Sequence, residues 1–180
     1  ESKRSSQGRI ESGTRIQDTL IIRNVSVGSY TNISGACLLE EGTIISCKVA
    51  PTFVGEGVIA KKFIILSGSR VDSGAMIDKS FVGQGVKMGK QYSAENSLFF
   101  ANCEAFHGEA CSVFAGPYTV THHKSTLMIA SLFSFFNAGS GTNQSNHMYK
   151  LGPVHQGILE RGSKTGSFAY LLLPCIVGAF

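Results

Sequence analysis

Residues 59–107 decide the fold, and they read IAKKFIILSGSRVDSGAMIDKSFVGQGVKMGKQYSAENSLFFANCEAFH. An aliphatic or aromatic residue recurs every six positions, with one residue dropped between Ile77 and Val82. This period fits neither the 3.6-residue repeat of a helix nor the two-residue repeat of a plain strand. It is typical of a parallel β-helix, in which each hexad forms one short strand and a corner. We expect the leading residues to point into a prism; they are Ile59, Ile65, Val71, Ile77, Val82, Met88, Ala94, Phe100 and Phe106.

The composition agrees with a solenoid that has one continuous core. The chain has 180 residues, of which 43% are hydrophobic and only 16% charged, and 21 are glycine. The net charge of +4 is modest and scattered, which favours a solvated surface over a nucleic-acid partner. The longest apolar run, 127–136, contains two serines and is too short to span a membrane, so no membrane partner is expected. Five cysteines without a CxxC pair predict free thiols in a cytoplasmic protein.

The repeat divides the chain into four parts. Residues 1–9 are polar and read as a disordered end or the tail of something upstream, and 10–116 carry the β-helix coils. Register is lost between Leu38 and Pro51, which indicates a bulge or short loop. Residues 117–169 are rich in Gly, Ser, Asn and His and predict a loop-rich insertion or irregular coils. Residues 170–180 look like the start of a further coil, so we expect the chain to be a fragment.

The hexads of residues 10–116 resemble the β-helix of hexapeptide-repeat transferases. These include acyltransferases that act on sugar nucleotides and the β-helical half of N-acetylglucosamine-1-phosphate uridyltransferase. The block 91–162, with FAGPYTVTHHKSTL, FFNAGSGTNQSNHMYKLGP and VHQGILERGSKT, looks like an uncharacterised bacterial β-helical family labelled transferase-like or sugar-nucleotide-pyrophosphorylase-like. The resemblance implies an all-β, single-stranded left-handed parallel β-helix (hexapeptide repeat) with a long inserted loop region. It also implies a homo-trimer packed side by side.

Histidine is the first candidate for chemistry. His122, His123, His147 and His155 all lie in 117–169, whereas His107 takes a corner position that we interpret as structural. In the resembled acyltransferases a histidine acts as general base, which suits an imidazole because its pKa lies near the working pH. Neighbouring strand residues face opposite ways, so one of the adjacent pair is expected to face a cleft, with a slight preference for His123 over His122 as the catalytic residue. Gly116 or the segment 139–141 could supply the oxyanion donor.

The same interrupted region supplies candidate contacts to a small-molecule substrate. Cationic groups could hold phosphates, and amide side chains could bind sugar hydroxyls. The predicted substrate-binding residues are Lys124, Asn143, Gln144, Asn146, His147, His155 and Arg161. The co-substrate implied by the resemblance is acyl-CoA or an acyl carrier protein. No metal is expected, because the His-x4-His pair of zinc-binding β-helix carbonic anhydrases does not occur here.

Several functions stay open at this point. The first is a hexapeptide-repeat acyltransferase that moves an acyl group from a thioester to a sugar, amino sugar or nucleotide sugar. The second is a non-catalytic scaffold or trimerisation module of a larger sugar-nucleotide enzyme, including a nucleotidyltransferase whose chemistry lies elsewhere. The third is a metal-dependent β-helix enzyme, with His122, His147 and His155 as a possible zinc set. A site is expected where the six-residue repeat fails, at 117–167.

Overall fold

The computed structural model of the chain describes residues 8–145 and 157–178, and the regular structure in these two ranges is all β. Within them no helix is long and apolar enough to cross a membrane. The strands are β1 Arg9–Ile10, β2 Arg15–Gln17, β3 Ile21–Val27, β4 Asn32–Ser34, β5 Leu38–Ile44, β6 Phe53–Val54, β7 Ile59–Lys61, β8 Ile64–Ile65, β9 Arg70–Val71, β10 Met76–Asp78, β11 Phe81–Val82, β12 Lys87–Gly89, β13 Ser93–Glu95, β14 Leu98–Phe99, β15 Glu104–Phe106, β16 Glu109–Cys111, β17 Phe114–Ala115, β18 Val120–Thr121, β19 Thr126–Met128, β20 Ala130–Leu132, β21 Asn137–Ala138, β22 Asn143–Ser145, β23 Gly157–Leu159, β24 Tyr170–Leu172 and β25 Cys175–Val177.

These strands stack in parallel as a β-helix of about nine turns with three faces. Face 1 contains β2, β4, β6, β9, β12, β15, β18 and β21. Face 2 contains β7, β10, β13, β16, β19, β22 and β24, and face 3 contains β8, β11, β14, β17, β20, β23 and β25. The longer strands β3 and β5 run from face 2 onto face 3. The prediction of an all-β parallel β-helix is therefore confirmed.

One coil is 17 residues long rather than a multiple of six. Ile59 pairs with Met76 and Met76 with Ser93, so these two steps along face 2 each cover 17 positions. The inward residues Ile65, Val71, Ile77 and Val82 show how this length divides, because their spacings are six, six and five. The residue dropped after Ile77 is thus not a single irregularity. A five-residue side returns in each coil from Ala60 to Leu132.

The short side corrects three of the predicted inward residues. Ile59 is 38% exposed, whereas its neighbour Ala60 is fully buried and points into the prism. In the same way the inward positions belong to Phe99 and Ala105, whereas Phe100 and Phe106 lie on the outside. A five-residue side shifts the phase by one, so a strict count of six reaches the outward neighbour of the inward residue. At positions 59 and 106 this outward neighbour is also the larger side chain.

Corners are built from residues in the left-handed region. Between faces 2 and 3, Lys62, Lys79 and Asn96 have φ between 45° and 49°. The backbone N–H of each donates to a carbonyl oxygen of the preceding coil at 2.9–3.1 Å. Their polar groups are therefore paired although the conformation is costly for residues with a Cβ.

The coils continue where the sequence loses its repeat. Residues 45–52 form a short loop with a bridge between Cys47 and Ala50, and this loop overlaps the stretch 38–51 where a bulge or short loop is predicted. Strands β18 to β22 carry regular coils through 117–145, where a loop-rich insertion or irregular coils were expected. The repeat is hidden there because its inward positions include polar residues such as Thr121 and Gln144.

One coil is shorter than the others. Ser93 pairs with Glu109, an offset of 16, and the missing residue falls at the corner formed by His107 and Gly108. His107 is exposed with φ of 50°, as befits the corner role expected of it. The inward residues of this coil are all alanine, at positions 105, 110 and 115. The coil is therefore narrow, and the larger side chain of Tyr92 from the preceding coil fills part of its interior.

Candidate functional site

A cluster of polar and aromatic side chains lies on the outer side of face 1, where three successive strands run in register. Lys87 on β12 pairs with Glu104 on β15, and both point outward. Ala105 pairs with Thr121, which places their outward neighbours Phe106 and His122 side by side. Alternation along the strands thus brings residues from positions 87 to 122 onto one surface.

The Glu104 carboxylate lies between the ammonium group of Lys87 and the imidazole of His122 and contacts both. Its Oε1 lies 2.9 Å from Lys87 Nζ, and its Oε2 lies 2.7 Å from His122 Nε2. The hydrogen bond from Lys87 and then that from His122 hold the pKa of the Glu104 carboxyl below its ordinary value of 4.5. Glu104 is therefore an anion at neutral pH, with an acceptor oxygen facing the imidazole.

This contact fixes the chemistry of the His122 ring. An ionised carboxylate only accepts hydrogen bonds, so the proton of a neutral His122 resides on Nε2 and the basic lone pair on Nδ1. The ring also packs 5.4 Å from the ring of Phe106, over which Lys90 Nζ lies at 5.3 Å. The side chain stays 45% exposed, so the oriented imidazole is open to a ligand from solution.

His123 is arranged differently from His122. Its side chain is exposed and its ring meets the edge of the His122 ring at 6.2 Å. Its carbonyl oxygen accepts the N–H of Gly141 at 2.9 Å, so its backbone belongs to the corner. Both histidines face solvent because the chain turns at Lys124, whose φ is 45°. Glu104 contacts His122, whereas the sequence slightly favours His123 as the catalytic residue.

The predicted substrate-binding residues do not form one group. Lys124 is exposed at the corner next to the histidines, and Asn143 is exposed on face 2. Gln144 is fully buried inside the prism, where its Oε1 accepts the N–H of Met128 at 3.3 Å. Arg161 lies at the corner between faces 3 and 1, with its guanidinium 5.2 Å from the ring of Phe135. The remaining candidates lie outside the described residues; they are Asn146, His147 and His155.

The predicted oxyanion donors are already used within the solenoid. Gly116 N–H donates to Leu132 O at 2.7 Å, and Gly141 N–H donates to His123 O. Gly139 N–H donates to Thr165 Oγ1 at 2.9 Å. These three amides therefore stabilise the coils, and an oxyanion at His122 would need another donor.

Sequence reasoning missed both Lys87 and Glu104. They stand in the hexad stretch, whereas a site is expected from the sequence only where the repeat fails, and no local motif marks them. The signal that could have found them is the coil length, because Lys87 and Glu104 are 17 positions apart and Glu104 and His122 are 18 apart. Side chains separated by about one coil stack on the same face.

The cluster lies on an open face. A groove of about 980 Å³ runs along the corner between faces 2 and 3, with an apolar lining that includes Leu98, Phe114, Ile129 and Ile158. None of the histidines that the structure describes lines this groove. Among the residues that the structure describes, no set of three or more His, Cys, Asp or Glu side chains is placed to hold a metal ion.

Fold and cluster together define a parallel β-helix protein with a Lys–Glu–His arrangement on one face. The model of a family described as a domain of unknown function, DUF4954, matches residues 1–180, and the chain belongs to this family. No curated protein matches the chain.

Proposed function

We propose that the chain is an acyltransferase in which His122, held by Glu104, is the general base. The observation that carries the proposal is the 2.7 Å contact between His122 Nε2 and Glu104 Oε2. A carboxylate bonded to one imidazole nitrogen fixes the tautomer, orients the ring and stabilises the imidazolium that forms when the other nitrogen takes a proton. This division of roles is the one that general-base catalysis needs.

The proposed reaction moves an acyl group from a thioester to a hydroxyl or amine of a sugar, amino sugar or nucleotide sugar. His122 Nδ1 takes the proton from the acceptor as its oxygen or nitrogen attacks the thioester carbonyl carbon. The tetrahedral intermediate then expels the thiolate of CoA or of an acyl carrier protein. The imidazolium returns the proton to this thiolate, so the base is restored and all charges balance.

Cationic side chains around His122 fit a phosphate-bearing co-substrate. Lys90 lies against Phe106, next to the His122 ring, and Lys124 stands at the adjacent corner. Lys87 is bound to Glu104 and holds the carboxylate in place. Lys90 and Lys124 would then be the groups that attract the phosphates of CoA or of a nucleotide sugar.

A second candidate is a non-catalytic scaffold of a larger sugar-nucleotide enzyme. It is favoured by the openness of face 1, since the His122 side chain is 45% exposed. The three expected amide donors are also used within the coils. On this reading the Lys87–Glu104–His122 contacts are surface ion pairs that contribute about 1 kcal/mol or less to stability.

The test is release of free thiol from acetyl-CoA in the presence of glucosamine or a nucleotide amino sugar. We expect His122→Ala to remove the activity and Glu104→Gln to lower it by about 10²-fold or more, because the ring loses its orienting partner. His123→Ala and His107→Ala are matched controls, since both residues are exposed but lack the carboxylate contact. Wild-type rates in His122→Ala would contradict the proposal. Absence of thiol release from a broad panel of acyl-CoA and sugar pairs would favour the scaffold.

A further inference from the structure

Face 3 differs from the other two faces in its outer surface. Large apolar side chains point to solvent from six coils, each between 37% and 72% exposed: Ile64, Leu98, Phe114, Phe133, Ile158 and Ile176. At about 200 Å² for a fully exposed side chain of this size, they present on the order of 550 Å² of apolar surface. The largest apolar patch on a typical monomer is about 300–600 Å² and is often a binding surface.

Charge is lacking on this face from β8 to β20, whereas Glu160 is exposed beside Ile158 in the next coil. Each coil presents two outward positions here, because side chains at i and i+2 of a strand point to the same side. The first column contains Ile64, Phe81, Leu98, Phe114 and Ser131, and the second contains Leu66, Gly83, Phe100, Gly116 and Phe133. None of these ten residues is charged, whereas outward positions on face 1 include Arg70, Lys87 and Glu104. Depletion of charge and enrichment of aromatic residues mark the core of an interface.

Four phenylalanines form a continuous ridge that alternates between the two columns. Ring centroids are 5.8 Å apart for Phe81 and Phe100, 4.9 Å for Phe100 and Phe114, and 6.2 Å for Phe114 and Phe133. In three of their four coils the other outward position is small, and these small residues are Gly83, Gly116 and Ser131. A zigzag ridge thus runs beside a zigzag groove on the same face.

We propose that face 3 is the interface between two copies of this chain, related by a two-fold axis parallel to the prism. Such an axis exchanges the two columns at each height and sets ridge against groove. Phe114 then meets the partner's Gly116, and Phe133 meets the partner's Ser131. The central coil brings Leu98 against the partner's Phe100.

Area and charge both favour a second copy as the occupant. A standard interface buries about 800 Å² per partner, and the exposed apolar side chains together with the partly buried rings of Phe81 and Phe100 approach that value. Two copies each carry a net charge of +4, so they repel each other least where the contact surface is uncharged. This interface does not require acyl transfer, and its test does not involve catalysis.

The test is sedimentation equilibrium of the 180-residue chain and of four variants. The wild type is expected to be a dimer. Phe114→Glu and Phe133→Glu are each expected to raise the dimer dissociation constant at least tenfold, because a charge enters the desolvated centre. Met76→Glu is the matched control, since Met76 on face 2 and Phe133 are both 45% exposed. Circular dichroism verifies that each variant is folded.

A fourth variant distinguishes a shape-complementary interface from nonspecific hydrophobic association. Ser131→Phe makes face 3 more apolar but fills the groove opposite the partner's Phe133, so the proposal expects weaker dimers. Tighter association of Ser131→Phe would overturn the ridge-and-groove arrangement. A monomeric wild type, a wild-type trimer, or equal effects of Met76→Glu and Phe133→Glu would overturn the two-fold interface itself.

Discussion

Tyr92 occupies the space that Gly108 leaves free in the coil above it. A Cβ added to Gly108 would lie 3.1 Å from Tyr92 Cε2 and would collide with the carbonyl oxygen of Ser125. The ring is fully buried, and its hydroxyl has no hydrogen-bond partner among the described residues. Burial raises the pKa of Tyr92 above its ordinary value of 10, so the phenol stays neutral. The aromatic ring fills the narrow coil and stabilises it, whereas the buried, unpaired hydroxyl lowers the stability of the fold.

Tyr92→Phe should therefore be tolerated or stabilising. Removing a buried, unpaired hydroxyl is expected to raise the free energy of unfolding by about 1 kcal/mol. Tyr92→Ala should lower it by about 3–5 kcal/mol, because the space beneath the alanine-lined coil stays unfilled. Urea denaturation monitored by circular dichroism measures both. A loss of stability in Tyr92→Phe would show that the hydroxyl has a partner, such as an ordered water.

Two buried threonines of one coil should respond in opposite directions to the same substitution. Thr121 Oγ1 has no hydrogen-bond partner in the described structure, whereas Thr119 Oγ1 donates to Gly116 O at 2.8 Å. Thr121→Val replaces an unpaired hydroxyl by a methyl group and should raise the free energy of unfolding by about 1 kcal/mol. Thr119→Val leaves a buried carbonyl with one donor fewer and should lower it by a similar amount. Equal effects of the two variants in thermal unfolding would contradict this assignment.

Glu104 should make stability depend on pH in the acid range. Its folded-state pKa is lowered, so its contribution is complete above the unfolded value near 4.5 and is lost as pH falls through the lower folded pKa. The contribution is expected to stay below about 1 kcal/mol because the pair is partly exposed. The difference in melting temperature between wild type and Glu104→Gln should shrink as pH falls below about 4.5.

The two partners of Glu104 should be separable in the same titration. Lys87 is the larger cause of the lowered pKa and His122 the smaller. Lys87→Met should therefore flatten the acid dependence of the melting temperature more than His122→Ala does. The reverse order would show that the imidazole is the stronger partner of the carboxylate.

The fold was predictable because six-residue periodicity survives wherever the inward residue is large. Ile65, Val71 and Ile77 were placed correctly for this reason. The period alone did not show that a five-residue side recurs from coil to coil, and the outward Phe100 was assigned to the core. Side-chain size identifies a core position only when the neighbouring residues are smaller. The core residue Ala60 is smaller than its outward neighbour Ile59, so size points to the wrong residue there.

The candidate site was predictable only in part, because it is assembled across coils. His122 and His123 could be selected as candidates from the sequence, since they interrupt an apolar repeat. Glu104 could not be found without the coil length, because it stands 18 positions before His122. The burial of Gln144 was also out of reach, since a polar residue at an inward position breaks the pattern that reveals which way it faces.

The missing residue at the His107–Gly108 corner makes one coil of a repetitive molecule different in length from its neighbours. Coils of equal length could slip by a whole turn and still pair their backbones. A slip here would set the 16-residue coil against 17-residue ones and would move Tyr92 away from Gly108, beside which its ring lies. We infer that the short coil fixes the pairing register during folding, so that each turn pairs with its correct neighbour. Restoring a residue at this corner should then yield misaligned species, detectable as heterogeneous amide signals in NMR spectra.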